Sequence, residues 1–208
     1  LPIKLLVVTL ILTIFKRIIM IINLFSTPII SEKLDMDLDS LSKYALSVQE
    51  FFPAGIKKSN LGGWHSDLLK EENLRNKEMK KLLELTVNSL NGYKNELGIK
   101  ENLELVITGS WININRRGNI NRMHVHPNCH FSAVFYVKVD PKGELGCIEL
   151  LHPARGVMDF CWGNIYESED SVMASKLDVS PKPNDLYIFP AWLSHSVLPH
   201  GNKEPRIT

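Results

Sequence analysis

Two histidines separated by one residue, His124 and His126, lie in an extended run that leads into the apolar segment 131–137, and this spacing constrains the chain more than any other feature. Residues two apart project to one face only in a β-strand, so the pair shares a surface only if the segment is extended. His195 follows far downstream, closing the apolar stretch Phe189-Pro190-Ala191-Trp192-Leu193-Ser194, and Arg206 comes eleven residues later. A third imidazole from a distant strand closes a three-ligand metal site with open coordination positions. The next antiparallel strand returns the arginine to the same pocket. That set suits a redox-active divalent metal that binds a dicarboxylate and oxygen.

The rest of the sequence says what surrounds such a site. Residues 20–31 read as a short extended entry. From Asp35 to Phe51, apolar residues at Leu38, Leu41, Ala45, Val48 and Phe51 recur at helical spacing. A second amphipathic helix is expected from Asp67 to about Leu97, with Ser66 as its N-cap and Gly98 as its stop. After Gly98 the period changes. Strands are expected over 103–108, 111–115, 131–139, 145–151, 176–179, 185–190 and from 206 onward, separated by Gly, Pro and Asn turns. Helices followed by many short strands predict an α+β fold: a double-stranded β-helix (jelly roll) over 101–208, with an N-terminal flank of supporting helices over 20–100.

Composition excludes more than it selects. The 208 residues are 44% hydrophobic and 23% charged, as a globular domain requires, and the net charge of +1 gives no pull toward nucleic acid or an anionic membrane. The three cysteines, Cys129, Cys147 and Cys161, form no Cys-x-x-Cys pair and read as reduced thiols in a cytoplasmic protein. The apolar run from Leu5 to Phe15 is too short for a span, which needs roughly twenty residues, and Lys16-Arg17 stands where a signal-peptide cleavage site would be. Residues 1–19 are therefore expected to be a translated leader or an apolar N-terminal segment, and a membrane association is not expected. The chain stops in mid-strand at Arg206-Ile207-Thr208, which is the expectation for a C-terminally truncated barrel.

No single piece is specific, but the combination is. His124-x-His126-Pro127, then Ser132-Ala133-Val134-Phe135-Tyr136-Val137, then Phe189-Pro190-Ala191-Trp192-Leu193-x-His195, then Arg206-x-Thr208 resembles the 2-oxoglutarate- and iron(II)-dependent oxygenases. The likeness extends upstream to Ser59-Asn60-x-Gly62-Gly63-Trp64-x-Ser66 and Trp111-x-Asn113-x-Asn115, and looks closest to a group known from marine bacteria and phages. The resemblance implies Fe(II) and 2-oxoglutarate as cofactors, O2 as co-substrate, and hydroxylation of a protein side chain, a nucleobase or a small metabolite. It places His124 and His195 as metal ligands.

His126 stands where that superfamily carries a carboxylate. It is either the third ligand, or a neighbour of a partly solvated metal, or it leaves the carboxylate to come from Glu149 or Asp159. Arg206 matches the arginine that clamps the far carboxylate of 2-oxoglutarate, with Thr208 and Tyr136 as hydroxyl donors and Asn115 lining the pocket. Trp64, Trp111 and Trp192 read as packing residues, and nothing in the pattern gives His130, His152 or His200 a role. A cupin-like metal-binding barrel, or a catalytically inactive binding module, shares the histidines but has no need of Arg206-x-Thr208.

Overall fold

The computed structural model describes residues 25–69, 76–140, 146–162 and 174–208. The segment 1–19 lies outside the described residues.

Two helices precede the barrel. In α1 (Leu38–Phe51), Asp37 accepts a hydrogen bond from the Ser40 amide at 3.0 Å, and Leu41 and Ala45 are turned inward. In α2 (Lys77–Gly92), Asn76 caps the Met79 amide at 2.9 Å, and Met79, Leu82 and Leu90 are buried. Each cap satisfies one of the amides that a helix start leaves bare.

The expectation that Ser66 starts a helix is corrected. Ser66 is buried in an extended run beside residues 110–112; its amide donates to Ile112 O and its Oγ accepts from Ile112 N, both at 2.9 Å. A hydroxyl engaged across the sheet has no capping role left. The second helix also ends earlier than expected, at Asn91-Gly92, two of the weaker helix formers.

Strands β1 (Ile30–Lys33), β2 (Asn60–Leu61), β3 (Trp64–His65), β4 (Asn113–Asn115), β5 (Ile120–His124), β6 (Phe131–Phe135), β7 (Ile148–Leu151), β8 (Lys176–Val179), β9 (Asp185–Pro190), β10 (His195–Val197) and β11 (Arg206–Ile207) carry the rest. All their pairings among the described residues are antiparallel. One layer runs β1-β9-β6, linked through a Lys138–Ile207 bridge to β11-β4-β3; the other runs β2-β5-β10-β7-β8. From β4 to β11 each strand crosses to the opposite layer, except between β7 and β8, which is the winding of a double-stranded β-helix.

Two expectations differ locally. Residues 103–108 form no strand and leave Leu103, Val106 and Ile107 exposed, because alternation alone gives no ladder without a neighbour. A short helix α3 (Arg155–Trp162), not expected from the sequence, joins β7 to β8.

Alternation along the strands sorts side chains between two apolar clusters. Ile112, Ile114, Phe135, Val137, Leu186, Ile188 and Ile207 pack with Leu41, Met79 and Leu82 of the helices. The intervening residues face the other way, into the barrel, where Ile148, Leu150, Phe189 and Leu193 form a smaller cluster. Asn113, Asn115, Tyr136 and Arg206 are the alternates of that first set, so the period that builds the helix-facing core also turns these polar groups into the barrel.

Candidate metal centre and co-substrate pocket

His195 opens β10 directly opposite His124 at the end of β5, as Cα register partners. His126, two residues on, is tethered by its amide to Ala191 O at 3.0 Å. The ring centroids lie 4.3 Å apart for His124–His195, 4.9 Å for His124–His126 and 5.0 Å for His126–His195. One nitrogen from each ring lies within 4.8 Å of the others. His124 Nδ1 meets Arg122 O at 2.6 Å and His195 Nδ1 meets Leu193 O at 2.8 Å. A carbonyl only accepts, so both Nδ1 atoms carry the proton and both Nε2 lone pairs are left for a metal.

The electrostatics agree. Burial first, then the neighbouring charges of His124 and His65, push the pKa of His126 down to about 4. Burial does the same to His195, to about 4, against the hydrogen bond to Leu193 O. Burial also lowers His124, opposed by its hydrogen bond to Arg122 O. The three imidazoles are thus neutral near pH 7, the form that ligates. Three convergent neutral imidazoles fit a first-row divalent metal, iron(II) among them.

Neither alternative carboxylate joins them among the described residues. Glu149 is the register partner of Ser196, accepts its hydroxyl at 3.1 Å and lies 3.9 Å from Lys176 Nζ. Since His195 points inward, its strand neighbour Ser196 points outward and takes Glu149 with it. Asp159 is paired with Arg155 at 3.1 Å on α3.

Deeper in the barrel lies a second set. Arg206 is the register partner of Asn115 and is buried, with Nη1 donating to Gly146 O at 2.6 Å and Leu198 O at 3.5 Å. Tyr136 is 1% exposed, yet its hydroxyl finds no partner among the described residues. Burial raises its pKa and the nearby Arg206 charge opposes that rise. Asn115 donates to Asn121 Oδ1 at 2.8 Å, while its own Oδ1 is buried and unpartnered. A buried phenol without an acceptor is costly unless a ligand supplies one. A carboxylate between Tyr136 and Arg206 satisfies that donor and meets the buried cation, so the residues present fit 2-oxoglutarate. Thr208 contributes its backbone, exchanging hydrogen bonds with Asn113 at 2.8 and 3.1 Å, and is less buried than Arg206.

Two glycines leave the room that the Arg206 and Asn115 side chains occupy. A Cβ on Gly146, whose φ is +64°, would lie 2.5 Å from Arg206 Nη1, and a Cβ on Gly63 would collide with Asn115 Oδ1.

Three further side chains, two of which the sequence reading gave no role and one of which it expected to pack, lie against these residues. His200 is buried with Nε2 at 2.9 Å from Asn115 O, beside the arginine pocket. His65 is buried and stacks on Trp111, with centroids 5.7 Å apart and planes at 12°. Trp111, expected only to pack, lies 5.3 Å from the His126 ring. The signal for His65 was available in principle: on β3 it alternates with Trp64, whose indole is in the helix-facing core, and so must face the barrel.

Residues 109–208 match the family model described as "Putative 2OG-Fe(II) oxygenase". No curated protein sequence matches the chain. Among solved structures, a prolyl-4-hydroxylase of Pseudomonas putida aligns at TM-score 0.58 and 14% identity, covering 88% of this chain and 90% of its own. The viral collagen prolyl hydroxylase of Paramecium Bursaria Chlorella virus-1, in complex with 2-oxoglutarate, aligns at 0.54 and 13% identity, over 85% and 91%. An α-ketoglutarate-dependent carbocyclase from nogalamycin biosynthesis aligns at 0.58 and 10% identity, over 87% and 77%. At such identities these likenesses establish the shared fold. The family match spans every barrel strand from β4 to β11, so the segment 109–208 is that of a 2-oxoglutarate- and iron(II)-dependent oxygenase, a dioxygenase that takes Fe(II), 2-oxoglutarate and O2.

Proposed function

We propose that this enzyme hydroxylates a protein or peptide side chain, with His124, His126 and His195 as the three metal ligands and Arg206, Tyr136, Asn115 and Thr208 as the 2-oxoglutarate pocket. The carrying observation is that three neutral imidazoles and a buried arginine beside an unpartnered phenol face one barrel interior. Bound Fe(II) supplies the oxygen chemistry, in which O2 oxidises a substrate C–H bond to C–OH while 2-oxoglutarate loses CO2 and becomes succinate.

The chain's own residues position the reactants. Main-chain carbonyls fix the His124 and His195 rings by their Nδ1 protons, so the Nε2 lone pairs are aimed before any metal arrives. Arg206 and Tyr136 take the far carboxylate, which sets how far into the barrel the 2-oxo acid reaches. Phe189, 4.9 Å from the His195 ring, with Leu150 and Leu193 keeps that side of the site dry. Three neutral ligands leave the metal with one more unit of positive charge than a set containing a carboxylate, which favours an anionic co-substrate.

A peptide substrate is supported by the prolyl hydroxylases among the structural relatives and by the net charge of +1, which offers no attraction to a nucleic-acid polyanion. A cytoplasmic site of action is supported by the free thiols of Cys129 and Cys147; among the described residues no helix is long and apolar enough to cross a membrane. The barrel segment 101–208 carries all seven of these proposed residues, and helices α1 and α2 of the N-terminal flank pack against it.

The test needs no substrate. 2-Oxoglutarate chelating iron(II) without oxygen gives a visible charge-transfer band. The wild-type chain is expected to show it, His124→Ala and His195→Ala to lose it with the metal, and His126→Asp to keep it. Arg206→Ala is expected to bind iron but to need far more 2-oxoglutarate. A wild-type protein without the band refutes the proposal and favours a binding module.

A further inference from the structure

His126 differs from its two neighbours in how its ring is held. His124 and His195 are each locked by a hydrogen bond from Nδ1 to a main-chain carbonyl, at 2.6 and 2.8 Å. Neither ring nitrogen of His126 makes a hydrogen bond among the described residues. Its ring meets aromatic faces instead: Trp111 at 5.3 Å with planes at 41°, and His124 edge-on at 4.9 Å and 86°. Trp111 is itself backed by His65, nearly parallel at 5.7 Å and 12°. His65 is fixed in turn, because its Nδ1 meets Ser66 O at 2.5 Å, and Ser66 is pinned to Ile112 by two hydrogen bonds. A chain of contacts, a hydrogen bond between Ser66 and His65, a stack of His65 on Trp111 and a tilted ring contact of Trp111 with His126, therefore runs from the β3 edge to the three histidines.

We infer that Trp111, backed by His65, is the positioning residue for His126, an aromatic face doing for this ligand what a carbonyl does for the other two. The inference rests on the reading of His126 as the third ligand. A metal-binding imidazole needs its ring plane fixed so that the lone pair points at the ion, and the usual device is a hydrogen bond on the other nitrogen. Without one, the ring turns about its side-chain bonds until something blocks it. An indole face on one side and the His124 edge on another leave a narrow range. Aromatic contacts are directional enough to select an orientation within that range. His65 keeps the indole from tilting away, and its own tautomer is set: with Nδ1 protonated toward a carbonyl, Nε2 carries a lone pair. Of the three ligands, His126 is then the one whose alignment depends on a side chain that substitution can remove.

Titrating the 208-residue chain with cobalt(II), read by its visible ligand-field bands, and anaerobically with iron(II), read by calorimetry, tests this. Trp111→Ala is expected to weaken both metals about ten- to hundred-fold, the range typical of removing an outer-shell partner, and to change the cobalt bands. Trp111→Phe, which restores a flat face, is expected to recover most of the affinity, and His65→Ala to lose less than Trp111→Ala. Thermal unfolding of the metal-free variants separates this from a purely structural role, which would lower stability and leave the cobalt bands alone. Trp111→Ala with wild-type affinity and bands, while His126→Ala has lost both, overturns the inference and leaves the three-histidine reading standing. His126→Ala with wild-type affinity removes His126 from the metal and overturns both. Should Trp111→Ala fail to fold, Trp111→Leu, which fills volume without a flat face, is read in the same way.

Discussion

Gly146→Ala is the substitution that best probes the proposed co-substrate pocket, since it perturbs the arginine by contact while replacing neither Arg206 nor a proposed metal ligand. Gly146 has φ +64°, and placing a Cβ there costs about 1–2 kcal/mol in backbone conformation alone. The added methyl would stand 2.5 Å from Arg206 Nη1, 2.7 Å from Leu198 O and 3.1 Å from His200 Cβ. The carbonyl belongs to a segment whose amide is bonded to Cys147 O at 2.9 Å, so it gives little, and the guanidinium must move. That breaks the 2.6 Å bond from Nη1 to Gly146 O, a hydrogen bond from a charged donor worth about 1.5–3 kcal/mol. Urea unfolding is expected to show a loss of about 3–5 kcal/mol. Anaerobic titration of the iron-loaded protein is expected to show 2-oxoglutarate binding weakened about ten- to hundred-fold, the same hydrogen-bond energy expressed as an affinity. Iron(II) affinity, assigned in the proposal to histidines on other segments, is expected to stay at the wild-type value. Unchanged stability together with unchanged 2-oxoglutarate affinity would refute the reasoning. A loss of iron binding instead would show that the two halves of the site are not separable.

Tyr136→Phe removes a hydroxyl that has no partner among the described residues, so the protein without co-substrate is expected to be as stable as wild type or slightly more so, while 2-oxoglutarate binds about tenfold more weakly; equal affinity in the same titration would mean that the phenol does not face the carboxylate. The metal-free protein is expected to lose stability on acidification. His126 and His195 have pKa values of about 4, below the 6.5 of an unperturbed histidine, so between those values the unfolded chain binds more protons than the folded one. Their stabilising contribution is complete above pH 6.5 and disappears as the pH falls toward 4; melting temperatures measured from pH 7.5 to 5 check this, and a His126→Gln variant with the same slope as wild type would count against it.

How much of this was legible from the sequence depends on whether the signal was local. The His124-x-His126 pair could be assigned to one face because a strand's period is two, whatever it packs against. Tyr136 and Arg206 were singled out by resemblance, and it is the folded strands that set them opposite the helix-facing Phe135, Val137 and Ile207. The α1 helix and the strands 176–179 and 185–190 were likewise set by local pattern, though the helix begins at its Asp37 cap, two residues after the Asp35 expected. Ser66, residues 103–108 and α3 were not. A serine before a polar stretch is a good cap until Ile112 takes its hydroxyl, and an alternating segment is a strand only if another strand lies beside it.

The site divides along the same line. Local pattern sets which residue types are available and which of them share a face. That His195 lies opposite His124 is a matter of the folded sheet, because that register is fixed by pairing between β5 and β10 across some seventy residues of chain. Only the tertiary structure turned Glu149 outward with Ser196 and brought Gly146 against Arg206 and His65 behind Trp111. A period tells which side of a strand a residue is on; what stands on the other side of the barrel follows from non-local pairing, and no window along the chain contains it.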